Sequence, residues 1–289
     1  MSLYCTLADV RSELNADSTV DDQKVMRGVR QLSRRIDTMF RNQNLFVPVI
    51  QTRRIALSNI NINSWERTLI LRSPQQGVAP LLLLTGVTIN STALVIGTSV
   101  QAYPQPYAPY YQLQLIGDCA LSWYDYCNVT LPGPRFASVA GVWGYNMDYA
   151  NAWLAVDDLS AGINASVTTL TVADVDGDNP YGEAPRISAG NVIQIDTEWM
   201  DVIATNITTN TVTVVRGVNG STAAAHLVDA PVSVYLVDES IRRICRQAAF
   251  QYSRIGAFDT SRISDFSTLQ FPEDFLQEVK DLLNLFANL

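Results

Sequence analysis

Few residues in this chain of 289 have the types and spacing that chemistry needs. It has one histidine, His226, in the small-residue run Thr222-Ala-Ala-Ala-His. A lone imidazole rules out catalytic pairings that need a second one, and it rules out a histidine-rich metal site. In that run His226 is expected as a loop or turn residue. Asp196 and Glu198 stand two apart, close to Asp201. Residues i and i+2 on a strand share a face, the placement that paired carboxylates need for acid–base work. Any half-exposed strand shows the same spacing, so the pair alone is weak ground for catalysis. Asp174-x-Asp176-Gly177-Asp178-Asn179 has the oxygen density of a calcium loop. Its glycine is at the fourth position instead of the sixth, and Pro185 occupies the twelfth where Glu is needed. A solvated turn is the plainer reading. Trp143, Tyr145, Tyr149 and Trp153 suit a core-closing aromatic cluster or, alternatively, a sugar-binding platform. There is no P-loop, no G-x-G-x-x-G after a strand and no G-x-S-x-G elbow. The expectation is a non-enzymatic protein with no catalytic residue, no metal and no cofactor.

The elements that would carry these residues fall into two kinds. Residues 19–43 read as one long amphipathic helix. Val25, Val29, Leu32, Ile36, Met39 and Phe40 share a face. Thr19 with Asp22 has the form of a capping box. The other side is basic, with Lys24, Arg27, Arg30, Arg34, Arg35 and Arg41. Three more helices are expected at 6–16, 238–254 and 272–287. The last, opened by Pro272, has a strong apolar stripe of Phe275, Val279, Leu282, Leu283 and Phe286, and an acidic polar side.

Nearly everything between reads as strand and turn: 52–57, 67–72, 81–97 as a hairpin, 111–117, 168–174, 191–206, 211–217 and 230–237. The proline-rich segment 101–110 reads as an extended surface loop, and 118–156 as aromatic-rich and irregular. The expected fold class is α+β. A helical scaffold made by the N- and C-terminal helices (1–50 and 238–289) carries a β-rich region, 51–157, and a small separate β module, 158–237.

Composition narrows the classes further. Hydrophobic residues make up 47% and charged residues 17%, as in a folded protein. Residues 1–54 carry a charge of +3, residues 55–237 carry −9 and residues 238–289 carry −2. An acidic middle repels phosphate, which argues against a nucleic-acid-binding domain. No signal peptide is visible, and the longest apolar run, around Leu81–Leu84, is too short to span a bilayer. Cys5, Cys119, Cys127 and Cys245 lack C-x-x-C spacing and are expected as reduced, mostly buried thiols.

Two resemblances rest on particular stretches. TLADVRSELN, a turn, then DDQKVMRGVRQLSRRIDTMF resembles the opening of the head–tail connector (adaptor) proteins of tailed bacteriophages. VTINSTAL, Tyr103-Pro104 and YYQLQL resemble that family's hairpin and following strand. ESIRRICRQAAFQYSR, ISDFSTLQF and PEDFLQEVKDLLNLF resemble its end. The second resemblance is local, to a small β module of phage structural proteins. Its marks are Asp196-x-Glu198-x-Met200, Arg216-Gly217, Asn219-Gly220 and the Ala-Ala-Ala-His run.

Together they imply a virion neck protein made in the host cytoplasm. It would form a homo-oligomeric ring, usually of twelve subunits, beneath the portal protein. The ring would extend the DNA channel without reading sequence and would receive a stopper or tail-completion protein, with no membrane contact. The alternative is another neck or tail β protein that binds a host glycan. The residues expected to meet partners are Arg27, Arg30 and Arg34 on the long helix and Phe275, Val279, Leu282, Leu283 and Phe286 on the last one.

Overall fold

The computed structural model describes residues 3–14, 21–39, 46–57, 61–63, 67–71, 79–89, 92–116, 136–242, 244 and 247. These form two compact units, one within Phe40–Ala152 and the other within Met1–Met39 and Trp153–Leu289.

Two helices open the chain. Helix α1 (Leu7–Leu14) has a reciprocal cap: Thr6 Oγ1 accepts from Asp9 N (3.1 Å) and Asp9 Oδ2 accepts from Thr6 N (2.9 Å). Helix α2 (Asp22–Met39) buries Val25, Met26, Val29, Leu32, Ser33 and Ile36, the face its period requires. Its cap is Asp21, whose carboxylate accepts from Lys24 N (3.2 Å). The expected cap Thr19 lies outside the described residues, as does Phe40.

The unit within Phe40–Ala152 is all β. Its strands are β1 (Val49–Ala56), β2 (Ile62–Asn63), β3 (Thr68–Ile70), β4 (Leu81–Ile89), β5 (Thr92–Leu94), β6 (Val100–Tyr103), β7 (Gln112–Leu115) and β8 (Phe136–Trp143). They form two antiparallel sheets ordered β1-β8-β4-β5 and β2-β3-β7-β6. One core serves both, with Ile55, Val87, Ile89 and Val139 from the first sheet against Leu69, Val100 and Leu113 from the second. Strand β8, FASVAGVW, falls in a stretch expected to be irregular. Ala, Ser and Gly make up half of it and dilute the signal of Val139 and Val142, yet it is a central strand paired to both β1 and β4. Small side chains let its neighbours approach: a methyl at Gly141 would collide with the Leu83 carbonyl.

The other unit carries β9 (Trp153–Asp158), β10 (Thr169–Thr171), β11 (Val192–Ile195), β12 (Glu198–Asn206), β13 (Thr211–Val215), β14 (Pro231–Tyr235) and a short helix, α3 (Glu239–Arg242). The strands make one antiparallel sheet, β10-β13-β12-β11-β14-β9. Ile193, Ile195, Met200, Val202, Val212, Val214, Val232 and Val234 alternate onto one face of it and close a core with Leu159, Leu170, Val175 and Ile187. The sheet includes β9, so it begins at Trp153, whereas the sequence pattern starts the module at 158. Helix α1 docks on this unit: Leu7 N donates to Ala189 O (3.0 Å) and Ala8 N to Ser188 Oγ (3.2 Å).

The expected fold class needs correction. The described chain is mostly β, with three antiparallel sheets and the helices α1, α2 and α3. The helical periods at the N-terminus are real, but α1 packs as an appendage to a sheet and does not help build a helical scaffold. The expected helix 272–287, with Phe275, Val279, Leu282, Leu283 and Phe286, lies outside the described residues. So does most of 238–254.

Candidate functional site

Strands β11 and β12 meet in a two-residue turn, with Ile195 opposite Glu198. Asp196 takes φ +52 there, a left-handed conformation that Asp tolerates better than most residues. The turn aims Asp196 and Glu198 at the segment that leaves β13, residues 216–226. Glu198 is completely buried. Arg216, the first residue after β13, grips it through two parallel bonds, Nε to Oε1 and Nη2 to Oε2, each 2.7 Å. Gly217 N donates to Oε1 (3.0 Å), and Ala224 N (2.9 Å) and His226 Nε2 (2.9 Å) contact Oε2.

The guanidinium is equally occupied. Arg216 Nη1 donates to Asn164 O (2.9 Å) and Val167 O (2.7 Å), and Nη2 also donates to Ala224 O (2.6 Å). All five of its N–H groups therefore have acceptors. The other ring nitrogen of His226, Nδ1, contacts Asp196 Oδ2 at 2.7 Å.

The node thus ties the β11–β12 turn, the 216–226 segment and the 164–167 loop together. Trp199 N adds a bond to Ser221 Oγ (2.9 Å), and Val218 N one to Trp199 O (3.0 Å). Burial pushes the Glu198 carboxyl up. The donors Arg216, Ala224 N, His226 and Gly217 N outweigh it and hold the carboxyl at about 2. A carboxylate with both oxygens shared among five contacts has no lone pair left for a substrate or a metal.

His226 lies in a loop, as expected, but its backbone bridges to Ile163 and its side chain is buried. Asp196 and Glu198 do converge, but on His226 and Arg216; Asp201 lies farther along β12. What sequence reading missed is that three marks of the small β module, Asp196-x-Glu198, Arg216-Gly217 and the Ala-Ala-Ala-His run, share one address. The signal was there in the pairing of an acid in a β-turn with Arg-Gly and a downstream His.

The other candidates resolve differently. Asp174 Oδ1 accepts from Asp176 N and Gly177 N, both at 3.2 Å, and Arg186 pairs with Oδ2 at 3.1 Å. Among the described residues no group of three or more His, Cys, Asp or Glu is placed to hold a metal ion. Trp143 is completely buried, with its Nε1 on Gln51 O (3.0 Å). Trp153 packs on Trp199 and Tyr235, with ring centroids 5.2 Å away in each case. Cys5 is a free, buried thiol.

A cavity of about 510 Å³ lies between the start of α1, the 179–192 loop and α3. Arg242 spans it, bonded to Asp9 (3.2 Å) and Glu183 (3.3 Å). Arg27, Arg30 and Arg34 are exposed on α2. No described helix is long and apolar enough to cross a membrane. No protein-family model, curated protein or solved structure matches the chain.

Proposed function

We propose that this chain is a non-enzymatic head–tail connector of a tailed phage. It forms a ring under the portal and joins the capsid to the tail around the DNA channel. One observation carries this reading. The residues that make the module resemble those of phage structural proteins, Asp196, Glu198, Arg216, Gly217, Ala224 and His226, form a single node around the buried Glu198 and His226. The polar side chains that looked most reactive therefore hold loops together, and the module offers surface and shape instead of a reaction centre. The exposed basic side of α2 adds a surface for acidic partners. The charge of −9 on residues 55–237 suits a channel component past which DNA slides.

Imaging the purified chain mixed with the portal ring of the same phage tests the proposal. The expected result is an added ring of density coaxial with the portal, matched by a rise in native mass of one subunit per portal position. A chain that never joins the portal, and instead binds glycans or hydrolyses a substrate, would overturn it.

A further inference from the structure

We propose that the uncharged side of the Phe40–Ala152 unit, along its edge strands β5 and β6, docks on the same side of a second copy of this chain. The proposal goes beyond the connector reading and does not rest on it.

Residues 73–117 hold no Asp, Glu, Lys, Arg or His, in a chain of which 17% is charged. The described part of this run builds β4, β5, β6 and β7. Sheet order groups these strands: β4 and β5 end one sheet, and β7 and β6 end the other. Residues 95–99 join the two edges directly, so β5 and β6 lie on one side of the sandwich. The cations Arg53 and Arg54 stand on β1, at the opposite edge of its sheet.

The uncharged side is also apolar. Val95 and Ile96 precede β6, and Tyr103 and Tyr107 lie at and beyond its end, each between 42% and 75% exposed. Both loops are pinned. Val95 O accepts from Ser99 N (2.8 Å), and Gly97 N donates to Val100 O (2.9 Å). Gln105 Nε2 donates to Ala102 O (2.6 Å), and Tyr110 Oη donates to Pro106 O (3.2 Å). A surface held this way needs little ordering on contact. Exposed tyrosines with no charge among them have the composition of an interface core. Proteins that stay monomeric commonly guard open sheet edges with charged side chains, and neither β5 nor β6 carries one.

Charge selects the partner. A charged partner face would lose its hydration here against no opposite charge, which is costly. The face that fits is itself uncharged and apolar, and the same side of a second copy is such a face. Each copy carries a net charge of −8, all of it outside residues 73–117. Contact through this side therefore keeps the like charges of two copies out of the interface. A surface that meets its own equivalent makes an isologous, two-fold contact.

The test is sedimentation velocity on the full chain. The wild type should dimerise, and raising the salt should not weaken the dimer, because no ion pair crosses the contact. V95E/Y107E and I96E/Y103E place like charges on the contact and should each weaken dimerisation at least about tenfold, with an unchanged circular dichroism spectrum. R54E, on the opposite edge, should dimerise like wild type.

A wild type that stays monomeric, a dimer that salt dissociates, or loss of the dimer in R54E alone would overturn the proposal. So would a folded V95E/Y107E chain that dimerises like wild type. Should both glutamate variants misfold, hydrogen exchange on the wild type decides. Dilution through the dimer's dissociation should lower the protection of amides in 92–107 and leave those of β1 unchanged. Equal change in both, or none in 92–107, would overturn the proposal.

Discussion

Arg216 holds Glu198 through two parallel bonds of 2.7 Å, both side chains being withdrawn from solvent. Neither partner is replaceable alone, because removing one leaves the other's charge buried and unpaired. Glu198→Ala and Arg216→Ala should each destabilise the protein by about 3–5 kcal/mol, as read by urea unfolding. The double variant should cost far less than the sum of the two. Additive losses would mean that the pair is not the unit holding the loops.

Two carboxyls give the stability profile opposite slopes. Glu198 is held at about 2, below its ordinary 4.5. Its contribution is complete above pH 4.5 and is lost as pH falls toward 2. Burial raises Asp37 on α2 from 3.8 to about 6, against the bond from Tyr4 Oη, so its contribution is present below 3.8 and is lost as pH rises through 6. Unfolding followed from pH 3 to 8 should therefore show stability falling between about 4 and 6 from the Asp37 term. Asp37→Asn should flatten that slope and leave the acid limb unchanged.

Gly141 sits on central strand β8 with the Leu83 carbonyl and the Leu81 side chain over its Cα. Gly141→Ala forces β4 and β8 apart and should cost about 2 kcal/mol or more. Hydrogen exchange should show the loss in strands β1–β8, while the amides of β9–β14 keep their protection. Uniform loss across both sets would count against two separately stable units.

Strand β9 pairs with β14 from Trp153 opposite Tyr235 to Asp158 opposite Pro231. A fragment that begins at Trp153 keeps this edge and the Trp153 contacts with Trp199 and Tyr235. One that begins at Leu159 bares the edge of β14 and exposes the two aromatics. The first fragment, ended after Asp238, should unfold cooperatively. The second should be weaker by about 3 kcal/mol or should aggregate. Equal stability would place β9 outside the module.

The sequence by itself determined elements whose signal is local. The period of Val25, Val29, Leu32 and Ile36 sets the buried face of α2, and the reciprocal pair Thr6 and Asp9 starts α1. Alternation in 211–215 sets the core face of β13 in the six-stranded sheet.

Tertiary structure decided what depends on distant partners. Strand β8 is half Ala, Ser and Gly, with only Val139 and Val142 β-branched, and it is held as a strand by β1 and β4 pairing on both sides. Trp153 reads as part of an aromatic cluster in sequence, yet β14 draws its strand into the other unit. His226 and Glu198 are 28 residues apart, and only the hairpin turn at Asp196 brings them within 2.9 Å. Composition and period register a residue's own preference, whereas a buried ion pair and a central strand are properties of the surroundings that enclose them.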